Sequence, residues 1–421
     1  MFANRYRLVC VPCKIEDIRS TLPSGEIRWL FDHRDASGKR RARMFATKGE
    51  ALRYETMVRG QIAAGTYVPD AASITVADAA KLWIQRAELD GLEYATIRQY
   101  GQHAAHIKPL IGARKLSQLT RPAVKAFKDK LLETHSRAMA KAILASLKAI
   151  AKEAQRRGLV GHNAAADVVV KMSKRHEERV VIPTREHIRA LLTTAAEKWP
   201  LTTVQTDPKG KQKVVACCWR PLIVTAVLTG LRCSELRGLT WEHVDFTAGV
   251  IRVRQRADLR NTMGPPKSKA GRRDVPLAPM VASALKAWKL ACPVTPLDLV
   301  FPGQRKGIVT NGTIHRSCWG PLQRACGMVE RVPRLDKNGQ PVSDKDGNPI
   351  IDDVPLYNFH SLRHAAASLF IEQGWSPKKL QSVMGHSTIA MVFDCYGHLF
   401  PSAEDDAVAM AQIEARLGIT S

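Results

Sequence analysis

GHSTIAMVFDCYGHL, residues 385–399, places nine residues between His386 and Tyr396 near the end of a 421-residue chain. Working backwards, HSLRH (360–364) supplies His360 and Arg363. PKSKAGRRDVPL (266–277) supplies Lys267, and TGLRCSELRGL (229–239) supplies Arg232. A phenol, two guanidiniums, two imidazoles and an ammonium, with no carboxylate among them, suit one chemical task. They can hold a phosphodiester and neutralise the charge that develops on it. They can also attack it and protonate the departing oxygen without a metal.

In order and spacing these boxes resemble the tyrosine recombinase (phage integrase) family, over roughly the last 240 residues from Ile182 onward. Five separated boxes in register carry the resemblance, where a lone RxxE or HxxR would not. It implies that Arg232 and Arg363 fork onto the non-bridging oxygens of one phosphate. Tyr396 becomes the nucleophile that forms a 3′-phosphotyrosyl link, and His360 handles the proton. His386 hydrogen-bonds the phosphate or holds the leaving group's geometry. Lys267 is the expected general acid, with Lys269 two residues on as the alternative. Glu235 is expected to brace the site rather than react, and His364 to pack.

No cofactor or metal is expected. His360 and His364 stand four apart as in a zinc-binding HExxH helix, but Ser361 occupies the Glu position and Arg363 would oppose a cation. Cys10-x-x-Cys13 lacks a second ligand pair at zinc-module distance. Nine scattered cysteines suit a reducing compartment better than a disulfide framework.

Composition agrees with a polyanionic partner. Lys and Arg number 64 against 39 Asp and Glu, a net charge of +25, and the pI is about 9.9. The excess is spread over the chain: +5 in residues 1–70, +10 in 71–180 and +10 in 181–421, as in a clamp rather than a basic tail. The apolar run LVCVPC is broken by Pro12 and Lys14, and the stretch around Leu222 to Leu231 is far too short to span a bilayer. No secretory leader is read, and a cytoplasmic, nucleoid-associated protein is expected.

Three domains are expected. In residues 1–68, GEIRWLFDH alternates, ASGK turns, RRARMFA returns and GEALRYETMVRGQIAAG has helical spacing. This layout resembles the arm-type DNA-binding α+β module at the front of phage-type integrases. Residues 74–170 predict four helices, at about 76–89, 95–109, 121–134 and 137–157, the last stopped by Gly158. Lys125, Lys128, Lys130, Lys141, Lys148 and Lys152 lie opposite their apolar stripes, a phosphate-tracking face in a helical core-binding (SAM-like) domain. Lys171 to Pro183 reads as a linker, and Thr184 opens residues 182–421 with a helix of about 13 residues.

Within this last domain, strands near 250–254 and 272–277 are expected to flank a tight turn carrying Lys267. KNG and KDGN mark a surface β-insertion before His360. After Pro401 a helix with Val408, Ala411, Ile413 and Leu417 on one seam would dock on a neighbouring protomer, as the resemblance implies.

The expected fold class is therefore multidomain and mainly α with small β-sheets: an α+β module, a helical domain and a mostly-α catalytic domain. The expected function is site-specific DNA recombination, integrating or excising a prophage or other mobile element. Its partners would be double-stranded attachment sites, three further copies in a homotetramer, and an excisionase or DNA-bending protein. A dimer-resolving Xer-like recombinase lacks such a front module. A catalytically silent DNA-binding protein would not need the full residue set.

Overall fold

The computed structural model describes residues 14–18, 28–35, 38–70, 72–172, 181–206, 212–336, 339–400, 410–411 and 413–416. The chain divides into two compact units, residues 1–177 and 178–421. The division falls inside the charged stretch from Lys171 to Pro183.

The first unit opens with a three-stranded antiparallel sheet, β1 (Lys14–Ile18), β2 (Arg28–Arg34) and β3 (Arg40–Phe45), in sequence order. Helix α1 (Lys48–Ala63) packs on it. Thr47 caps α1 reciprocally, its hydroxyl accepting from Glu50 N while the Glu50 carboxylate accepts from Thr47 N. Phe31, on the inward register of β2, is fully buried with Ala51 and Val58 of α1.

Four helices follow: α2 (Val76–Leu89), α3 (Tyr94–Ile111), α4 (Arg121–Thr134) and α5 (Arg137–Arg156). Thr75, Thr120 and Ser136 each turn a side-chain oxygen onto the third backbone amide beyond, capping the starts of α2, α4 and α5. Helix α3 runs past Pro109, which forfeits only the bond to the Ala105 carbonyl. Ile143, Leu144, Leu147, Ile150 and Ala154 make the buried stripe of α5 against Trp83, Ile107 and Phe127. Lys125, Lys130, Lys141 and Lys152 are exposed, while Lys128 and Lys148 are half-buried.

The second unit begins with α6 (Arg185–Lys198), capped by Thr184, and a hairpin of β4 (Thr202–Thr206) and β5 (Gln212–Ala216). Then come α7 (Trp219–Thr229) and the short α8 (Cys233–Arg237). A sheet of order β10-β7-β6 joins β6 (Val244–Asp245), β7 (Val250–Val253) and β10 (Arg273–Pro276). Between β7 and β10 the tight turn expected from the sequence is replaced by a ribbon, β8 (Arg256–Ala257) with β9 (Met263–Gly264), and a 3₁₀ turn at Lys269–Gly271. Strands of two residues are too short to show an alternation, which is why the sequence did not reveal them.

Helix α9 (Pro279–Ala291) precedes α10 (Asn311–Ile314), which passes through a π-helical turn (His315–Trp319) into α11 (Gly320–Ala325). The expected β-insertion is a ribbon of β11 (Val329–Pro333) and β12 (Ile351–Pro355), extended by bridges Leu335–Pro341 and Ser343–Pro349. Three helices finish the unit: α12 (Ser361–Glu372), α13 (Pro377–Met384) and α14 (Ala390–Tyr396). Helix α7 is apolar on nearly every side because α6, α9 and α12 all pack on it. Trp288, Phe301 and Trp319 are its large core partners. A smaller cluster of Ala367, Ile371, Leu380, Met384 and Val392 encloses the Tyr396 ring.

Among the described residues no helix is long and apolar enough to cross a membrane. Cys10, Cys13 and most of the expected tail helix after Pro401 lie outside the described residues. The seven described cysteines are free thiols.

Candidate active site

Two glycines in the left-handed region begin the site. Gly230 ends α7 with φ +63, and a Cβ there would stand 2.9 Å from Met384 Sδ. Gly385 ends α13 with φ +66, and a Cβ there would meet the Ala270 carbonyl at 2.9 Å. Only glycine takes this backbone at so close an approach without strain. Each is followed within two residues by a candidate: Arg232 opens α8, and His386 follows Gly385 directly.

The two segments are sewn together by the guanidiniums. Arg363, in the first turn of α12 and 2% exposed, donates from Nη1 to Gly230 O at 2.7 Å and from Nη2 to Met384 O. Arg232 donates from Nη2 to Gly385 O at 2.9 Å, and its side chain keeps 33% of its surface open. Burial, then the charge of Arg232, pushes the Arg363 pKa down to about 9, which leaves it cationic at neutral pH.

Beneath them lies Glu235, 3% exposed. Its carboxylate accepts from Arg232 N and Nη1, both at 2.8 Å, and from Arg273 Nη1 at 3.0 Å and Nη2 at 2.9 Å. Burial acts to raise its pKa, but the Arg273 hydrogen bonds and charge, with Arg232, outweigh that and hold it at about 2. Arg273 also donates from Nε to Val383 O at 2.5 Å and from Nη1 to Gly271 O at 3.1 Å. This one buried side chain thus ties the β10 loop to Glu235 and to the end of α13. Three guanidiniums against one carboxylate leave the centre net positive, a setting for an anion.

The histidines meet that charge as neutral groups. Burial and the nearby cations lower the pKa of His386 to about 4. His360, at the entrance to α12, is lowered to about 4 by burial of its ring and by His364 and Arg363. Burial and Arg363 lower His364 as well. Tyr396 is 1% exposed, and burial raises its phenol to about 12 against the opposing pull of Arg363. Its ring lies near-parallel to that of His386, with centroids 6.3 Å apart. His386 Nδ1 is buried with no hydrogen-bond partner among the described residues.

Of the sequence candidates, Arg232, Arg363, His360, His386 and Tyr396 come together in this way. Lys267 is exposed on the loop between β9 and the 3₁₀ turn, and Lys269 is exposed at the start of that turn, so loop conformation rather than packing sets their reach. Two residues had been passed over. His364, assigned to packing, has Nδ1 2.8 Å from the Tyr396 hydroxyl. Its four-residue offset from His360 already put it on the same helix face. Arg273 alternates in register with the buried Val275, and an arginine at an inward strand position requires a buried partner.

Among the described residues no group of three or more His, Cys, Asp or Glu is placed to hold a metal.

Comparison with known proteins places these features in context. The phage integrase family model matches residues 204–402. Prophage integrase IntR of Escherichia coli K12 is 30% identical over 198 residues, which is 46% of this chain and 45% of IntR. The chain therefore matches about half the length of that curated relative. Among solved structures, the Tn1549 transposon integrase in complex with a circular intermediate DNA superposes with a TM-score of 0.61 at 20% identity, covering 81% of this chain and 100% of that one. A lambda integrase tetramer bound to a Holliday junction gives 0.52 at 19%, covering 85% and 93%. At these identities the two likenesses show the fold.

Proposed function

We propose that the chain is a site-specific DNA recombinase of the tyrosine type that integrates or excises a prophage or other mobile element, a reading supported by the match of residues 204–402 to the phage integrase family model. The observation that carries this reading is the enclosure of the Tyr396 hydroxyl beside a net-positive centre built on Arg232 and Arg363.

In this reading a phosphodiester of duplex DNA sits between the two guanidiniums, whose forks stabilise the negative charge of the pentacoordinate transition state. The carbonyls they now hold fix their orientation in advance. His386 offers its unpartnered Nδ1 side to the same region. The Tyr396 oxygen attacks phosphorus, the bond to the 5′-oxygen breaks, and Lys267 supplies the proton that leaves with that oxygen. A 3′-phosphotyrosyl link and a free 5′-hydroxyl result. The link conserves the diester's energy, so a 5′-hydroxyl from another duplex can reverse the step without ATP. His360, beside His364, takes part in moving the proton. The net positive charge of all three segments and the exposed lysines of α4 and α5 suit a clamp around the duplex. The tetramer of the lambda integrase structure supports assembly of four copies on two duplexes, in the cytoplasm where such DNA lies.

The test is covalent capture. Full-length protein with a nicked duplex attachment site should form an adduct whose phosphate maps to Tyr396 by mass spectrometry. Tyr396→Phe should bind the same DNA within a few-fold and form none, because only the hydroxyl is lost. An adduct that persists in Tyr396→Phe refutes the assignment.

A further inference from the structure

The Tyr396 phenol poses a problem that the six sequence candidates leave open. It is enclosed, and its proton is held more tightly than in water, so a group inside the enclosure must receive that proton. The hydroxyl touches His364 Nδ1 at 2.8 Å, across 32 residues from α12 to α14. The rings are 5.7 Å apart and tilted by 57°, which brings the imidazole edge to the phenol oxygen. His386 instead meets Tyr396 with near-parallel rings. His360 lies one helical turn back, edge-on to His364 with centroids 4.9 Å apart. It is therefore positioned to act on Tyr396 through His364.

We propose that His364 is the catalytic proton acceptor for Tyr396. As the phenol oxygen bonds to phosphorus, its proton passes to His364 Nδ1 and makes an imidazolium. The P–O5′ bond breaks and the leaving oxygen takes its proton from Lys267. On rejoining, the 5′-hydroxyl attacks phosphorus, Lys267 recovers a proton, and His364 returns its own to Tyr396. Burial and the adjacent Arg363 favour the neutral ring beforehand, as an acceptor requires. Helix α12 would then hold the phosphate with Arg363 and the nucleophile with the very next side chain. This assignment rests on the recombinase reading above, and its test separates the two.

Single-turnover adduct formation on nicked DNA is measured with the full chain and with His364→Asn, His364→Leu and His360→Asn. Asparagine can keep a hydrogen-bond acceptor near the Nδ1 position but cannot take a proton. If His364 is the acceptor, both its variants slow adduct formation by roughly 100-fold or more, the usual scale of a general base. The same proteins are then made with a polyfluorinated tyrosine at position 396, whose phenol ionises near neutral pH. The His364→Asn defect should shrink to a few-fold, because an ionised phenol needs no acceptor. Three results overturn the proposal: His364→Asn at the wild-type rate, a His364 defect unchanged by fluorination, or rescue confined to His360→Asn. Should His364→Leu fail to fold, His364→Asn carries the comparison alone. Failure of the wild-type chain to form any adduct at Tyr396 would instead refute the parent reading.

Discussion

Replacing Glu235 by Gln keeps the shape of the side chain and removes its charge. The carboxylate now accepts four hydrogen bonds, two each from Arg232 and Arg273. A carboxamide would offer one oxygen and turn an NH₂ group against a guanidinium donor. The folded-state pKa of about 2 stands against an ordinary 4.5. At about 1.4 kcal/mol per unit that is a stabilisation of about 3.5 kcal/mol. Breaking a buried ion pair from one side costs about 3–5 kcal/mol, so two independent routes agree.

Because the folded pKa is depressed, the stabilisation is fully present above pH 4.5 and is lost as pH falls through about 2. For a unit of this size the variant should melt about 10 °C lower near neutral pH. The gap should narrow steadily as pH is lowered from about 5 towards 2. Calorimetry of both full-length proteins across that range measures it. A melting point lowered by less than about 2 °C at neutral pH would refute the reasoning, as would a gap that stays constant with pH.

Two further outcomes follow from the proposed chemistry and layout. Lys267→Ala should block cleavage of an ordinary strand far more than cleavage of one whose 5′-bridging oxygen is sulfur, since a thiolate departs without a proton; equal defects would remove Lys267 from the role, and sulfur rescue of Lys269→Ala would move it there. A chain beginning at Ala71 should cleave a core site within about threefold of the full protein but fail to recombine sites that require distant arm contacts. The buried core around α5 runs from Val76 to Val170, and the hydrogen bonds lost across the cut include those of Ala72 N and Ser73 N to Pro69 O and of Lys115 to Asp70 O at its edge. Recombination of full sites by the truncated chain at the intact rate would refute the arm-binding role.

Helices were legible because their signals are local. Thr75 and Thr184 stand where hydroxyl caps were expected, Thr120 and Ser136 play the same part, and α2, α4, α5 and α6 start on the residues that follow these four. The site was legible for a different reason. Its residue types are rare in combination, and nine intervening residues place His386 after α13 and Tyr396 at the end of α14. What could not be read is what depends on contacts between distant segments. The loop bearing Lys267 is shaped by a two-residue ribbon and by Gly271 packing on Pro266, neither of which leaves a periodic trace.

His364 and Arg273 show that such contacts can still leave a physical signature. Both are polar residues whose spacing sets them beside a site or core position, His364 four residues from His360 and Arg273 two residues from the buried Val275. A buried polar group without a partner costs about 1–3 kcal/mol, so inward polar positions require partners. The partners found are the nucleophile's hydroxyl and the carboxylate beneath Arg232. His386 is the instructive contrast, since its buried Nδ1 has no partner among the described residues although the rest of the centre is satisfied. The same rule then demands a partner from outside the described residues. A phosphate oxygen between Arg232 and Arg363 would satisfy His386 and the excess positive charge together.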